Sequence, residues 1–458
     1  MVASDRRLDV LVVGGGAREH ALVRGLSKSA RIGRLLCAPG NAGIRDDALV
    51  VDIGSEDVPS LIAFVQREKV DLIVIGPEAP LVAGLGDQLR ERGFAVFGPD
   101  ADGALLEGSK AFAKQVMDAA GVPTAAAATF SEHAPALAYL REHGAPVVVK
   151  ADGLAAGKGV IVAHDLAEAE AALAECFVER RFGAAADRVL IEEFLEGEEV
   201  SLLSLVSGSQ ILPLAPAQDY KRALDGDAGP NTGGMGSYSP VPAVDAALYD
   251  ELVDLVVRPT VAELLRRGID FRGVLYAGLM LTKNGPKVLE FNCRFGDPET
   301  QALLPRLQSD LLELLWAVAT GGELPPAAAW RRGAAVGVVM ASRGYPASSS
   351  KGDVITGLDR VRASGDVEIF HAATKTTDAG IVTSGGRVLT VTGLGDSFAE
   401  ARARAYAGVA QIQFAGEQHR TDIALRAEKW EAHAPAGAGQ DAPAPQAGAE
   451  QAQAGGEK

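Results

Sequence analysis

Between Leu8 and Pro99 the chain alternates short runs of branched apolar residues with helical stretches, and every run stops at glycine or proline. The runs are DVLVVGGG, RLLCAPG, DLIVIGPE and AVFGP; the stretches between them are EHALVRGLSKS, LIAFVQREK and LVAGLGDQLRERG. Continuous Val/Ile/Leu runs spaced by helices demand a parallel sheet covered on both faces, because a half-exposed strand would alternate apolar with polar residues. A Rossmann-like N-terminal α/β domain is therefore expected, with its ligands gathered at the carboxyl ends of the strands.

The rest of the chain changes rhythm. Helix SKAFAKQVMDAAG leads into strands PVVVKADG, GVIVAH and VLIEEFL, with the helix AEAEAALAECF among them. A strand pair around SLLSLVSGSQILPLA, a glycine-rich polar loop and one long helix near LYDELVDLVVRPTVAELLRR follow. GVLYAGLMLTK and PKVLEFN read as a hairpin turning at Asn284–Gly285. After Arg332 the short strands AAVGVVMAS, GDVITGL, VEIFHAATK and RVLTVTG and a helix FAEARARAYAGVAQI make a small α/β domain ending near Ala427. The expected divisions are 1–107, 108–331 (with a lid at about 122–196), 332–427, and a tail 428–458. That tail is rich in Ala, Pro, Gly and Gln and has too few bulky side chains to offset its chain entropy, so disorder is expected there.

A net charge of −16 leaves no diffuse basic surface for nucleic acid or anionic membrane, so an anionic substrate needs a local pocket of Arg, Lys and backbone N–H groups. Three separated cysteines point to a reducing compartment rather than a disulfide framework, and the seven scattered histidines lack zinc spacing. The N-terminus does not read as a secretory signal, and no run of 18 apolar residues occurs; a cytoplasmic protein is expected.

Two glycine loops invite familiar readings and fail them. In VVGGGAREH, Gly14 and Gly16 fit a dinucleotide fingerprint but Glu19 stands at its third glycine. Either a tight turn or an anion pocket at the helix N-terminus, with Arg18 assisting, accounts for it. In KADGLAAGKGV the spacing from Gly153 to Gly157 is one residue short of a P-loop, and Gly159 follows Lys158 where Ser or Thr should bind magnesium. Lys150 ends an apolar strand before this flexible loop, which suits a lid over a triphosphate as well as it suits a plain hairpin. The acidic IEEFLEGEEVS offers backbone at Glu193–Leu195 for an adenine edge and a later carboxylate for ribose hydroxyls, or simply a solvated face.

LEFNCRFGDPETQ carries the sharper signal. Glu290 lies inside a strand pattern, where an unpaired carboxylate costs several kcal/mol to bury. Asn292 is two residues on, hence on the same face, and Arg294 continues it. A carboxylate and an amide oxygen side by side suit Mg²⁺ or Mn²⁺ carrying nucleotide phosphates.

This segment resembles the signature of the phosphoribosylamine–glycine ligase (glycinamide ribonucleotide synthetase) family, of the ATP-grasp superfamily. RFGDPETQ, GGGAREHAL, APGNAG, GPEAPLV, LEGSKAF, VVVKADGLAAGKGVIV, IEEFLEGEE, QDYKR, GPNTGGMGSYSP and LYAGLM occur in family order from about residue 8 to 427. Gly15 and Ala17 depart from residues common in relatives. The resemblance implies an ATP-grasp core with a mobile lid, and a ligase that joins glycine to 5-phosphoribosylamine through a glycyl phosphate, using ATP and Mg²⁺ or Mn²⁺, in purine biosynthesis. It implies Lys110 and Lys150 at the phosphates under the loop Gly153, Gly157, Lys158 and Gly159. Glu192 and Leu195 would lie at adenine, Glu199 (less surely Glu198) at ribose, and Glu290 and Asn292 on the metal. Arg294, Asp219 and Lys221, with Asn231, Thr232 and Gly233 in the loop to Met235, would face the junction of glycine and phosphoribosylamine; Arg294, Lys150 and Asp219 would be catalytic. Gly16, Arg18, Asn41 and Glu78 would line the phosphoribosylamine pocket, and His20 reads as a packing or capping residue. The expected partners are these small molecules alone, and the chain is expected to act as a monomer. A different ATP-grasp ligase or carboxylase, or a nucleotide-binding protein without catalysis, are the rival readings.

Overall fold

The computed structural model describes residues 6–155, 159–363, 365 and 367–433. Its first unit is the expected parallel sheet, built from β1 (Leu8–Gly14), β2 (Ile32–Pro39), β3 (Leu49–Val50), β4 (Leu72–Ile75) and β5 (Ala95–Phe97) in the order β3-β2-β1-β4-β5. Both faces are covered: Leu11, Val13, Ile73 and Ile75 belong to one apolar cluster and Val10, Val12, Leu72 and Val74 to another, all at most 3% exposed. Full burial of such side chains stabilises by about 1.5–3 kcal/mol each. The order reverses between β1 and β4, so the turns after these two strands, carrying Arg18 and Glu78, open at the switch point.

A small antiparallel sheet follows, formed by β6 (Ala127–Phe130), β7 (Val147–Ala151), β8 (Val160–Ala163) and β9 (Val189–Glu193) in the order β6-β9-β7-β8. With helices His133–His143 and Leu166–Phe177 it has its own core, including Leu140, Val149, Leu173 and Ile191. A second antiparallel sheet runs Gln210–Pro213, Glu198–Ser207, Arg272–Thr282, Gly285–Asn292. The loop of its hairpin is Lys283–Asn284, one position earlier than the Asn-Gly signal places it, and Gly285 (φ +101°) already pairs with Thr282 as the first residue of the returning strand.

The expected long helix is broken. Ala246–Leu252 and Arg258–Arg266 are α-helical, and a π-helical turn, Val253–Val257, separates them just before Pro259, whose missing N–H disrupts the regular ladder. LVAGLGDQLRERG likewise forms two short helices, Glu78–Val82 and Leu85–Arg90, parted at Gly84. The C-terminal sheet draws on earlier sequence: its order is Gln218–Asp219, Gly236–Ser239, Ala334–Ala341, Arg387–Gly395, Val367–His371. The GSYS end of the glycine-rich loop is therefore a buried strand. GDVITGL makes only isolated bridges, at Val354 and Thr356. The helix Leu425–His433 runs past the expected start of the tail at 428, because Ala427 is buried and its neighbours continue the turn; residues 434–458 lie outside those described. Among the described residues no helix is long and apolar enough to cross a membrane.

The end of Val367–His371 docks on the first unit. Asn41 uses all of its amide there, donating to the Gly15 and His371 carbonyls (3.0 and 2.6 Å) and accepting from the N–H groups of Gly43 and Ile44 (2.9 and 3.0 Å). His20 is fully buried; its Nδ1 accepts the His371 N–H at 2.8 Å, so the neutral ring carries its proton on Nε2, 3.1 Å from Asp47 Oδ2. Burial lowers both histidines, His371 to about 3. In the unfolded chain each takes up a proton near pH 6.5, which the folded chain refuses, so the unfolded state binds more protons below that pH and stability falls with falling pH. Thermal denaturation between pH 7 and 4.5 should show Tm dropping as the pH is lowered, and His371→Gln should flatten that slope.

Candidate functional site

The cavity of about 700 Å³ lies among the first sheet, the small sheet, the second antiparallel sheet and the C-terminal sheet. Its floor follows from strand pairing. Ser201 opposes Gly278, Gly278 opposes Glu290, and Tyr276 opposes Asn292. Residues paired in this way share a face, as do alternate residues along each strand. Glu199, Ser201, Tyr276, Gly278, Glu290 and Asn292 thus form one polar stripe across three strands. Gly278 leaves the room: a Cβ there would stand 3.3 Å from Glu290 Cγ.

Burial pushes the Glu290 carboxyl up, but Lys221, Lys150, Lys110 and Arg294 together outweigh it and hold the group below the usual carboxylate range. Four cations, from four segments, meet the carboxylate that a strand alone could not accommodate.

Each cation is itself held by an acid or a carbonyl. Lys150 Nζ lies 2.8 Å from Glu192 Oε2 and donates to the Leu289 carbonyl at 3.1 Å. Lys114 reaches the other Glu192 oxygen at 3.5 Å, so Glu192, 3% exposed, is the anchor of two lysines. Lys110 Nζ donates to the Gly153 carbonyl at 3.3 Å; burial lowers its pKa against the pull of Glu290. Lys221 Nζ bridges Glu199 Oε2 (2.6 Å) and Asp219 Oδ1 (3.0 Å) and titrates well above its ordinary range despite burial. Burial, with Glu299 and Glu199 nearby, pushes the Asp219 carboxyl up to about 7 against the opposing charge of Lys221.

Arg294 donates to Glu107 Oε1 at 2.7 Å and lies 3.5 Å from Glu78 Oε2. Its pKa is raised because these acids outweigh its burial. Arg18 and Arg294 both donate to the Phe295 carbonyl at 3.3 Å, which brings the first unit against the end of the polar strand.

Of the residues singled out from sequence, Arg18, Glu78, Lys110, Lys150, Gly159, Glu192, Leu195, Glu199, Asp219, Lys221, Asn231, Thr232, Gly233, Glu290, Asn292 and Arg294 all line this one cavity. Three others do not join them within the described structure, and two more fall outside it. Gly16 donates its N–H to Glu19 Oε2 at 2.6 Å, so the anion at that helix N-terminus is the chain's own carboxylate. The amide of Asn41 is consumed in docking the C-terminal sheet. Gly153 packs against Ala185 outside the cavity lining. Gly157 and Lys158 lie outside the described residues.

Sequence reasoning passed over Glu107, Glu299 and Arg387. Glu299 Oε1 accepts from Ser201 Oγ (3.0 Å) and Tyr276 OH (2.9 Å) at the cavity wall. Arg387 comes from the C-terminal sheet, pairs with Asp297 at 3.1 Å, and donates to the carbonyls of Asp297 (3.0 Å) and Gly233. Glu299 stood in plain view beside RFGDP; the other two could be found only through partners nearly two hundred and about ninety residues away.

Among the described residues no group of three His, Cys, Asp or Glu side chains forms a metal cluster. Glu290 with Asn292 gives two hard oxygen donors on one face, which fits a divalent cation whose remaining ligands come from phosphate oxygens and water.

Comparison with known proteins gives these features a family. Residues 8–107, 108–300 and 335–426 match, in order, the N domain, the ATP-grasp (A) domain and the C domain of phosphoribosylglycinamide synthetase. The phosphoribosylamine–glycine ligases of Streptomyces coelicolor and Allochromatium vinosum are each 52% identical, over 92% of this chain and 99% of their own. The crystal structure of the Thermotoga maritima phosphoribosylamine–glycine ligase superimposes with a TM-score of 0.80 at 33% identity, covering 91% of this chain and all of that one. The biotin carboxylase domain of Hydrogenobacter thermophilus 2-oxoglutarate carboxylase, solved with MgADP and bicarbonate, shares the fold alone, with a TM-score of 0.68 at 16% identity over 90% of this chain and 92% of that domain. On matches of this extent, the chain belongs to the phosphoribosylglycinamide synthetase family, whose curated members are ligases.

Proposed function

We propose that the cavity joins glycine to 5-phosphoribosylamine at the expense of ATP, releasing ADP and phosphate, the ligation step of purine biosynthesis for which the relatives are named. The observation that carries this reading is the polar stripe: Glu290 and Asn292 side by side, facing Lys110, Lys150, Lys221 and Arg294. Such an array suits phosphoryl transfer, where positioning and charge neutralisation do most of the catalysis. Glu290 and Asn292 would hold Mg²⁺ or Mn²⁺, which when bound supplies charge neutralisation on the nucleotide phosphates.

Lys110 and Lys150 face the phosphates, Leu195 and the backbone beside it take adenine, and Glu199 takes the ribose. Arg294 orients the glycine carboxylate for in-line attack on the γ-phosphorus; the P–O bond to ADP breaks as glycyl phosphate forms. The amine of phosphoribosylamine then adds to the acyl carbon, and phosphate leaves with the C–O bonding electrons. Asp219, whose carboxyl burial pushes up to about 7, is placed to take the proton this amine releases, and Lys221, beside the Asn231–Gly233 segment, steadies the charge on the acyl oxygen. Arg18 and Glu78 belong to the phosphoribosylamine end.

In this reading residues 1–107 supply the acceptor half, 108–331 the nucleotide half with its lid, and 332–427 the sheet that closes the far wall. The chain works as a monomer in the cytoplasm, consistent with its three unbridged cysteines. The carboxylases share the fold alone, and it is the relatives at 52% identity, named phosphoribosylamine–glycine ligases, that favour an amine acceptor here.

Glu290→Gln should lower glycine-dependent phosphate release in the presence of phosphoribosylamine by roughly 10²–10³-fold, since it removes a charge used at the reacting centre. Its Tm should stay within a few degrees of the unmodified chain; unchanged turnover would sink the reading. Lys150→Met removes a charge-assisted contact worth about 1.5–3 kcal/mol. KM for ATP should then rise roughly 10- to 100-fold, while KM for glycine moves little, as initial rates at varied substrate would show.

A further inference from the structure

Asp152 lies two residues beyond Lys150, is 5% exposed, and is absent from the cavity wall. Its carboxylate is nonetheless the most heavily bonded in this region. Oδ1 accepts the Ala111 N–H at 2.7 Å and Ser109 Oγ at 3.1 Å; Oδ2 accepts Ser109 Oγ at 3.2 Å and pairs with Arg188 Nη2 at 2.6 Å. The backbone reinforces it: the Asp152 carbonyl accepts the Lys110 N–H at 3.2 Å, and the Asp152 N–H donates to the Arg188 carbonyl at 3.0 Å.

Two bodies meet here. Asp152 follows β7 of the small sheet, which has its own apolar core, whereas Ser109 and Ala111 start the helix Lys110–Ala120, whose Ala113, Val116 and Met117 pack into the main core. Ser109 caps that helix from within, accepting the Phe112 N–H at 3.1 Å, and Asp152 caps it from outside by taking the N–H of Ala111. A carboxylate at a helix N-terminus is favoured by both the open N–H groups and the helix dipole. The consequence is a fixed spacing between Lys110, at the start of the helix, and Lys150, at the end of the strand.

The small sheet touches the rest of the molecule elsewhere too, through Lys287–Glu193 (2.8 Å) and Lys114–Glu192 (3.5 Å). The first lies toward adenine in the ligase reading; Glu192 also holds Lys150, which itself donates to the Leu289 carbonyl at 3.1 Å. The Asp152 contact is on the phosphate side, where an acyl phosphate would be exposed if the sheet swung away.

We propose that Asp152 is a positioning residue that latches the small sheet to the helix carrying Lys110, keeping the two phosphate-facing lysines in register and water out of the reacting centre. The inference rests on the ligase reading above. When the latch fails, water adds to the acyl carbon of glycyl phosphate, the C–O bond breaks with its electrons going to phosphate, and glycine is regenerated. ATP is then consumed without amide formation.

The readout is the ratio of phosphate released to glycinamide product formed. A destabilised but correctly assembled enzyme loses both together and keeps the ratio at one, so the ratio separates latching from mere folding. The unmodified chain should give one. Asp152→Ala should raise the ratio several-fold and raise KM for ATP more than KM for glycine. Because Asp152→Ala removes a buried cap, Arg188→Gln provides a second variant: Arg188 is about half exposed, so its replacement spares the core and should raise the ratio more modestly. A ratio of one in soluble, active Arg188→Gln and Asp152→Ala, or in Arg188→Gln alone should the other fail to fold, would overturn the latch and leave the ligase reading standing. An unmodified chain that releases no phosphate with glycine and phosphoribosylamine would overturn both.

Discussion

The carboxylate of Glu290 is the constraint around which the molecule is arranged. Part-buried on the cavity wall in the middle of a strand, it carries a desolvation cost that nearby positive charge offsets. Lys110 opens a helix, Lys150 ends a strand of the small sheet, Lys221 follows a strand of the C-terminal sheet, and Arg294 continues the polar strand itself. Arg294 apart, none lies near Glu290 in sequence, and local structure alone could not deliver the three lysines. The electrostatic setting of this one carboxylate therefore draws on four pieces of the fold.

The same logic repeats around the wall. Glu192 holds Lys150 and Lys114, Glu107 holds Arg294, Asp297 holds Arg387, and Asp219 shares Lys221 with Glu199. Each cation meets an incoming anion already oriented, at no further entropic cost, which is how preorganised charge acts on a transition state. The acids serve a second purpose. A chain of net charge −16 cannot draw anions by its overall field, so attraction has to be local and paired in the absence of substrate.

Much of this was legible in the sequence, for identifiable reasons. The parallel sheet announced itself because strands covered on both faces must be apolar throughout. Glu290 and Asn292 could be put on one face because the side-chain period of a strand is two. Glu19 shows where such reasoning falls short: a glycine turn before a helix suggested a bound anion, and the anion proved to be Glu19 itself, three residues on, accepting the Gly16 N–H. Strand Gly236–Ser239 was hidden because glycine and serine have poor strand propensity; it is held by pairing with Ala335–Val338, nearly a hundred residues later. Arg387 and Glu107 have no local signature at all. Their significance lies in partners supplied by other sheets.

The first helix carries the argument one step further. Its N-terminus would serve as an anion site if Glu19 were elsewhere, yet Glu19 occupies it, pairs with Arg18, and fills the space beside Gly14 and Gly76, where any Cβ would strike it at 2.5 and 2.2 Å. Arg18, held by Glu19 through its Nε, reaches on into the cavity, where it shares the Phe295 carbonyl with Arg294. A loop that looks built to bind a phosphate through its backbone instead spends its backbone on aiming a side chain. The glycines are needed for packing around a carboxylate, and that carboxylate in turn holds the guanidinium that lines the cavity.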